Sequence, residues 1–388
     1  MNMIYLDNSA TTEISMVAQK KMIEAIGIYG NPSSRHGMGL EARKIIDEAR
    51  EQVGAAMGLA RPNPENLLFT SCGSEANNMA IIGCLYSKEK RRQNKVITTD
   101  SEHPSVENVM RKVEKDGFTV VRLSTRGGVI DENELAAALD DSVAMVSLMM
   151  VNNETGACYD VKKLFGIVKR RCPEAVTHCD AVQGFVKVPF TVKSLGADMI
   201  SVSAHKIHGP KGVGALYINP EIIKMKKIVP YIIGGGQEGG YRSGTENIVG
   251  IAGFGAAAAE ERAHFAENCG KITALRDLCA EKAVSAGARP NVPAGQRAPH
   301  VLSLTLPSIK SETMLNFLSA KGFCVSAGSA CSSHSRHISS SLVGFGLTEA
   351  EADSTIRVSF SAYNTEDEII EFCQALGEGI ETLVRIKR

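Results

Sequence analysis

Short apolar runs, rich in β-branched residues, alternate with polar turns and helically spaced stretches from about residue 65 to residue 215. LLFT predicts a strand over Leu67–Thr70, a tight turn over Ser71–Ser74 and a helix from Glu75 onward. KVITTDSEHPSV predicts a second strand, closing on His103 before Pro104. VAMVSLMMVNNETG reads as a longer strand ending in Asn152, Asn153 and Glu154, and AVTHCDAVQG as another ending in Asp180 and Gln183. ADMISVSAHKIHGPKGVG then predicts a strand up to Ser203, followed by His205, Lys206 and a turn broken by Gly209, Pro210 and Gly212. Alternating strands and helices predict an α/β layer. In such sheets ligands sit beyond strand ends, so polar residues at successive ends point to one shared site.

The flanking segments are patterned differently. IYLDNSATT predicts a short strand and a polar turn, and residues 15–26 have helical spacing. The loop YGNPSSRHGMG leads into a charged helix over about 39–57; with Asn31, Arg35 and His36 it is either linker or the lip of a pocket. Residues 248–287 predict a long helical segment. Beyond it, strands near 301–306 and 355–360 and helices near 311–321 and 365–385 give an α+β pattern. A Ser-rich polar loop, SAGSACSSHSRHISSS, surrounds Cys331.

Composition narrows the function classes. A chain of 388 residues exceeds one ordinary core, so two domains are expected. Lys plus Arg and Asp plus Glu are both 43, which argues against a nucleic-acid or membrane-surface role resting on bulk charge. No apolar run is long enough for a transmembrane helix, and the N-terminus lacks a signal-peptide pattern. The ten cysteines form no CxxC pair, so neither a zinc site nor a disulfide framework is indicated, and a reducing cytoplasm is expected.

The candidate chemistry centres on Lys206. A lysine at the end of a buried strand loses part of its preference for the charged form and becomes an amine nucleophile suited to Schiff-base chemistry. The turn Ser71–Ser74, with Gly73 at its middle, can cradle an anion at a helix N-terminus, or be an ordinary capped helix. Arg242, Ser243 and Thr245, in GGGQEGGYRSGTEN, supply donors suited to phosphate. A lysine, a carboxylate, a phosphate cradle and an aromatic platform are together what pyridoxal phosphate requires. Asp180 would pair with the pyridinium nitrogen and His103 would stack on the ring. Gln183 and Asn153 could bond the ring hydroxyl.

The motifs YLDNSATT, NPSSRHG, FTSCGSEANN, EHPSV, VNNETG, DAVQ, SAHKIHGPKG, GGGQEGGYRSGTEN, GSACSS and STIRVS occur in this order from residue 5 to residue 359. In this the chain resembles the NifS-type cysteine desulfurases of the class V aminotransferase family. The resemblance implies the pyridoxal-phosphate-dependent transferase fold of type I, an α/β fold. Its large domain, residues 15–255, would hold a mainly parallel seven-stranded sheet. Its smaller α+β domain, residues 1–14 and 256–388, would carry the cysteine loop. It also implies a homodimer acting on L-cysteine and passing sulfur to an acceptor such as an iron–sulfur scaffold or a tRNA-thiolation enzyme.

The same resemblance assigns residues. Lys206 would hold the cofactor covalently, His103 would stack and help move protons, and Asp180 would meet the pyridinium. Gly73, Ser74, Ser203, His205 and Thr245 would contact the phosphate, Thr245 from the other subunit. Arg357, aided by Asn31, would hold the substrate carboxylate, and Cys331 would be the nucleophile that becomes a persulfide. No metal is expected at His334 or His337. The chain departs from the family at Cys72, which stands where glycine is usual. A selenocysteine lyase or an aminotransferase on the same scaffold is the nearest alternative, and a non-catalytic sulfur carrier a further one.

Overall fold

The apolar runs become strands because their side chains are buried on both faces of one sheet. The computed structural model describes residues 3–87, 93–327 and 338–383. Strand β1 (Ile4–Tyr5) stands apart from the main sheet. The main sheet begins with β2 (Leu67–Thr70), β3 (Lys95–Thr99), β4 (Thr119–Leu123) and β5 (Val143–Met149). After the short β6 (Ala157–Cys158) it continues with β7 (Val176–Asp180), β8 (Met199–Ser203) and β9 (Gly214–Ile218). The spatial order is β2-β9-β8-β7-β5-β3-β4. Only β9 runs antiparallel to its neighbours. Strands β2, β5, β7, β8 and β9 are buried at every residue, which is why most of them read as short, largely apolar runs; β7, with Thr177, His178 and Asp180, is the exception. Each buried Ile, Leu or Val contributes roughly 1.5–3 kcal/mol.

One core on this sheet includes Ile97, Val146, Leu148, Ile200 and Val202, with Phe254 of the helix Ile248–Ala263. The opposite face packs Met79, Ala80 and Met110, from the helices Gly73–Leu85 and Pro104–Lys115, against Val96, Met145 and Leu216. The predicted long helix over 248–287 is two helices, Ile248–Ala263 and Phe265–Ser285, separated at His264.

A separate core is built late in the chain. It contains β10 (Arg289–Pro290), β12 (Val301–Thr305), β14 (Ser326–Ala327) and β15 (Thr355–Ser359), in the order β10-β12-β15-β14. The short β11 (Gln296–Arg297) instead pairs with β6, and β13 (Phe323–Cys324) pairs in parallel with β1. Ile4 and Leu6 therefore pack with Leu304, Ile356 and Phe372, although they open the chain.

Two buried charges stand out. Arg50 Nη1 and Nη2 donate to Glu238 Oε2 and Oε1 at 2.8 and 2.9 Å, and the Phe69 amide donates to Glu238 Oε2 at 2.9 Å. This pair ties the helix Gly37–Ala56 to β2; breaking it would strand a buried charge. Lys187 is the opposite case, because its Nζ is buried with no hydrogen-bond partner. Burial, with repulsion from Lys206, pushes its pKa down to about 7. The folded state thus binds fewer protons than the unfolded state between about pH 7 and the ordinary lysine range. Its penalty is complete below pH 7 and is relieved as pH rises. Lys187→Met is expected to stabilise the protein by a few kcal/mol at pH 6, at ~1.4 kcal/mol per unit of displacement, and by clearly less at pH 9. Thermal unfolding at the two pH values checks this; equal gains would contradict it.

Candidate active site

The carboxyl ends of β3, β5, β7 and β8 open into a cavity of about 660 Å³. Gly73, Ser74, His103, Asn153, Asp180, Gln183, Ser203, His205, Lys206 and Arg357 all line it. Asn31 and Thr245 do not line it; both are exposed to solvent in the single chain. Cys331, His334 and His337 lie outside the described residues.

Lys206 sits in the single helical turn Ala204–Lys206 that follows β8. Its Nζ donates to the backbone carbonyls of Ser9 and Ala10 at 2.6 and 2.8 Å. The neighbouring His205 is half-buried, and its pKa falls to about 3 through burial and the positive charges of Lys206, Lys187 and Lys211. It is therefore neutral near pH 7. Ser203 Oγ is buried and without a partner, so it is an unused polar group at the end of β8.

Asp180 ends β7. Its Oδ2 accepts from Asn77 Nδ2 at 2.7 Å and its Oδ1 from the Val182 amide at 3.0 Å. Asn77 Nδ2 also donates to Ser105 Oγ at 2.9 Å. Ser105 reaches His103 Nδ1 with its amide at 3.1 Å and its Oγ at 2.8 Å. A ring nitrogen that accepts from an amide carries no proton, so neutral His103 holds its proton at Nε2. Burial keeps the His103 pKa below its ordinary value; Asp180 opposes this and Lys206 reinforces it. Asn77, inside the motif FTSCGSEANN, thus joins the carboxylate to the histidine, although its sequence position marks it only as helical.

The anion cradle is built by close approach. Gly73 opens the helix Gly73–Leu85, and a Cβ there would come within 2.8 Å of Val182 Cγ2. Cys72 occupies the N-cap position, its Sγ accepting from the Glu75 amide at 3.5 Å. The substitution is accommodated because sulfur serves as the cap. Arg242 is paired with a carboxylate of the chain itself: its Nε donates to Glu75 Oε1 at 2.8 Å. Burial works against the Glu75 charge, but Arg242 and Ser71 hold its carboxyl below the ordinary value.

On the far wall, Arg357 Nη2 donates to Asp7 Oδ1 at 2.8 Å and Nη1 to the Asn153 carbonyl at 2.9 Å. Gln183 Nε2 donates to the Ser9 carbonyl at 2.9 Å, and its Oε1 lies 3.1 Å from His300 Nε2. Two further carboxyls, Glu102 and Glu154, are buried beside the cavity, and their residue type alone gives no role for them. Burial pushes Glu102 up to about 8, against the Met149 amide and Thr99 hydroxyl that bond its Oε1. Burial likewise pushes Glu154 up to about 7, while Ser339 Oγ, 2.5 Å away, and the charge of Arg357 pull it down.

The arrangement can hold an aromatic phosphate. An amine, a carboxylate held in place, a neutral imidazole and a helix N-terminus with an unused Ser203 hydroxyl converge on one cavity, as pyridoxal phosphate requires. The sequence pattern of the class V aminotransferases matches residues 4–372. A cysteine desulfurase of Trichormus azollae is 39% identical over 391 aligned residues, covering 99% of this chain and 94% of that one. A solved NifS-like protein has 35% identity and a TM-score of 0.91, covering 98% of this chain and all of its own. SspA, solved in complex with cysteine, has 29% identity and a TM-score of 0.79, covering 93% of this chain and all of its own. The α/β architecture with its central, mostly parallel sheet is consistent with the type I fold of the pyridoxal-phosphate-dependent transferases. Agreement along the whole chain, from the strand that precedes Asp7 to the last helix, places it in the cysteine desulfurase family, within the class V aminotransferases.

Proposed function

We propose that this protein converts L-cysteine to L-alanine and carries the released sulfur on Cys331 as a persulfide for delivery to an acceptor protein. The observation that carries the reading is the convergence of Lys206, Asp180, His103 and Arg357 on one cavity. Pyridoxal phosphate would be held covalently by Lys206, at its ring by Asp180 and His103, with Asn153 and Gln183 near the ring hydroxyl. Gly73, Ser74, Ser203 and His205 would hold its phosphate. When bound, the cofactor supplies an electron sink that stabilises negative charge at the substrate Cα and weakens its Cβ–S bond.

The chain's own residues do the rest. Arg357, with Asn31, holds the substrate carboxylate and orients Cα and sulfur. His103, neutral with its proton at Nε2, passes a proton at the substrate. Asn77 keeps Asp180 in place by hydrogen bonding to it. The Cys331 thiolate attacks the substrate sulfur; an S–S bond forms, the substrate C–S bond breaks, and carbon takes up a proton to give alanine. The balance is one thiol and one L-cysteine in, one persulfide and one L-alanine out. An aminotransferase on this scaffold would not depend on Cys331, and a mere sulfur carrier would not need Lys206. With purified protein, L-cysteine and a thiol reductant, alanine and sulfide are expected in equal amounts. Alanine without sulfide, or neither product, would defeat the proposal.

The assembly we propose is a homodimer in the cytoplasm, each chain divided into residues 15–255 and residues 1–14 with 256–388. The packing of Ile4 and Leu6 with Phe372 supports that division. Among the described residues no helix is long and apolar enough to cross a membrane. Exposed Met16, Ile23, Ile26, Tyr29 and Ile233 supply apolar surface for a second copy. Thr245, exposed in one chain, would reach the partner's phosphate site. A heterodimer of Lys206→Ala and Thr245→Ala chains would then gather both lesions in one site and leave the other intact. Mixing the two inactive proteins is expected to restore about half of the wild-type activity per heterodimer. No recovery after demonstrated subunit exchange would mean a phosphate site built within one chain.

A further inference from the structure

Asp7, in the motif YLDNSATT, uses both of its carboxylate oxygens. Oδ1 accepts from Arg357 Nη2 and Oδ2 from Ser326 Oγ, each at 2.8 Å. Ser326 of β14 and Arg357 of β15 are opposite each other in the ladder, so one carboxylate spans two adjacent strands. The backbone beneath it is fixed on both sides. The Leu6 amide donates to the Cys324 carbonyl at 2.9 Å, and the Ser359 amide to the Leu6 carbonyl at 2.7 Å. Asp7 therefore cannot follow Arg357 if the arginine swings; it holds the arginine still.

The Arg357 side chain is 5% exposed, and its Nε is buried without a partner. Glu154 lines the same cavity and feels the arginine's charge, so it is a carboxyl that competes for the guanidinium. Released from Asp7, the guanidinium would turn toward Glu154 and be lost to an incoming carboxylate. We propose that Asp7 is a positioning residue that fixes the Arg357 guanidinium for recognition of the amino-acid carboxylate. This rests on the reading of Arg357 as the carboxylate site.

The proposal is about position, not charge, and the two have opposite signatures. A negative Asp7 weakens the pull of Arg357 on another anion, so loss of charge alone would tighten carboxylate binding. Loss of position would weaken it. The test uses the loaded enzyme and two ligands read by the shift of cofactor absorption: L-alanine, and ethylamine, which has the amine without the carboxylate. Asp7→Ala is expected to weaken L-alanine about tenfold and leave ethylamine unchanged, with the KM for L-cysteine rising more than kcat falls. Asp7→Asn keeps an acceptor for Arg357 and a donor for Ser326, and is expected to stay within about threefold of wild type. Should Asp7→Ala not fold, Ser326→Ala, which cuts one of the two tethers, is expected to weaken L-alanine about two- to threefold with ethylamine unchanged.

Unchanged L-alanine binding in the folded Asp7→Ala protein, or in Ser326→Ala where that is the variant used, would overturn the proposal. So would equal weakening of both ligands, or tighter L-alanine binding in Asp7→Ala, the signature of charge without position. Arg357→Gln separates the underlying reading: if it leaves the ratio of the two affinities unaltered, Arg357 is not the carboxylate site, whatever Asp7 does.

Discussion

Lys206→Ala protein is expected to lose the visible absorption of a covalently linked cofactor and to form alanine from L-cysteine on the order of 10⁴-fold more slowly or worse. The size follows from what is removed. Lys206 is the amine at the end of β8 that faces Asp180 and His103 across the cavity, and its Nζ is held by the carbonyls of Ser9 and Ala10. Among the other lysines, Lys187 has a depressed pKa, but it lines a different, smaller cavity with Glu261 and Cys269. Among the described residues, Lys206 is the one lysine that lines the active-site cavity. Absorption spectra and alanine release of wild type and variant check this; a wild-type spectrum in Lys206→Ala would remove the lysine from its role.

Cys331→Ala should separate cofactor chemistry from sulfur transfer. The variant is expected to keep the wild-type cofactor spectrum and its binding of L-alanine, and to lose nearly all alanine formation from L-cysteine. The other cysteines are poor substitutes. Cys84, Cys172, Cys179, Cys279 and Cys373 are buried. Burial pushes the Cys158 thiol up to about 12 and raises those of Cys179, Cys269 and Cys324. A thiol held in its neutral form is a weak nucleophile. Cys72 is the one cavity-lining rival among the described residues, and its Sγ is engaged as a helix cap. Normal alanine release by Cys331→Ala would assign the attack to another thiol.

The sheet was legible where burial is complete. Strands β5, β7 and β8 are buried throughout and mostly carry apolar or small side chains, so Asn153, Asp180 and Lys206 at their ends stood out. Strand β4 passed unremarked because it lies at the sheet edge and is half-exposed along most of its length. Strand β9 was hidden by the Gly-rich turn that leads into Gly214. The break at His264 carries no proline or glycine to announce it. Lys206, Asp180 and His103 could be nominated from chemistry at strand ends. Their supports could not: Asn77 meets Asp180 across 103 residues and Asp7 meets Arg357 across 350. Arg242 shows the converse. Its donors suit a phosphate by residue type alone, and in the folded single chain two of them, Nε and Nη2, point to Glu75.

Mass measurement of the cysteine-containing peptides after one turnover tests the account most directly. Wild-type enzyme loaded with pyridoxal phosphate is mixed with L-cysteine without reductant, quenched and digested, and alanine is counted in the same sample. One added sulfur on the peptide containing Cys331, matched by one alanine, is the expected result. Added sulfur on the Cys72 or Cys324 peptide instead, or alanine with no sulfur retained on any peptide, would contradict it.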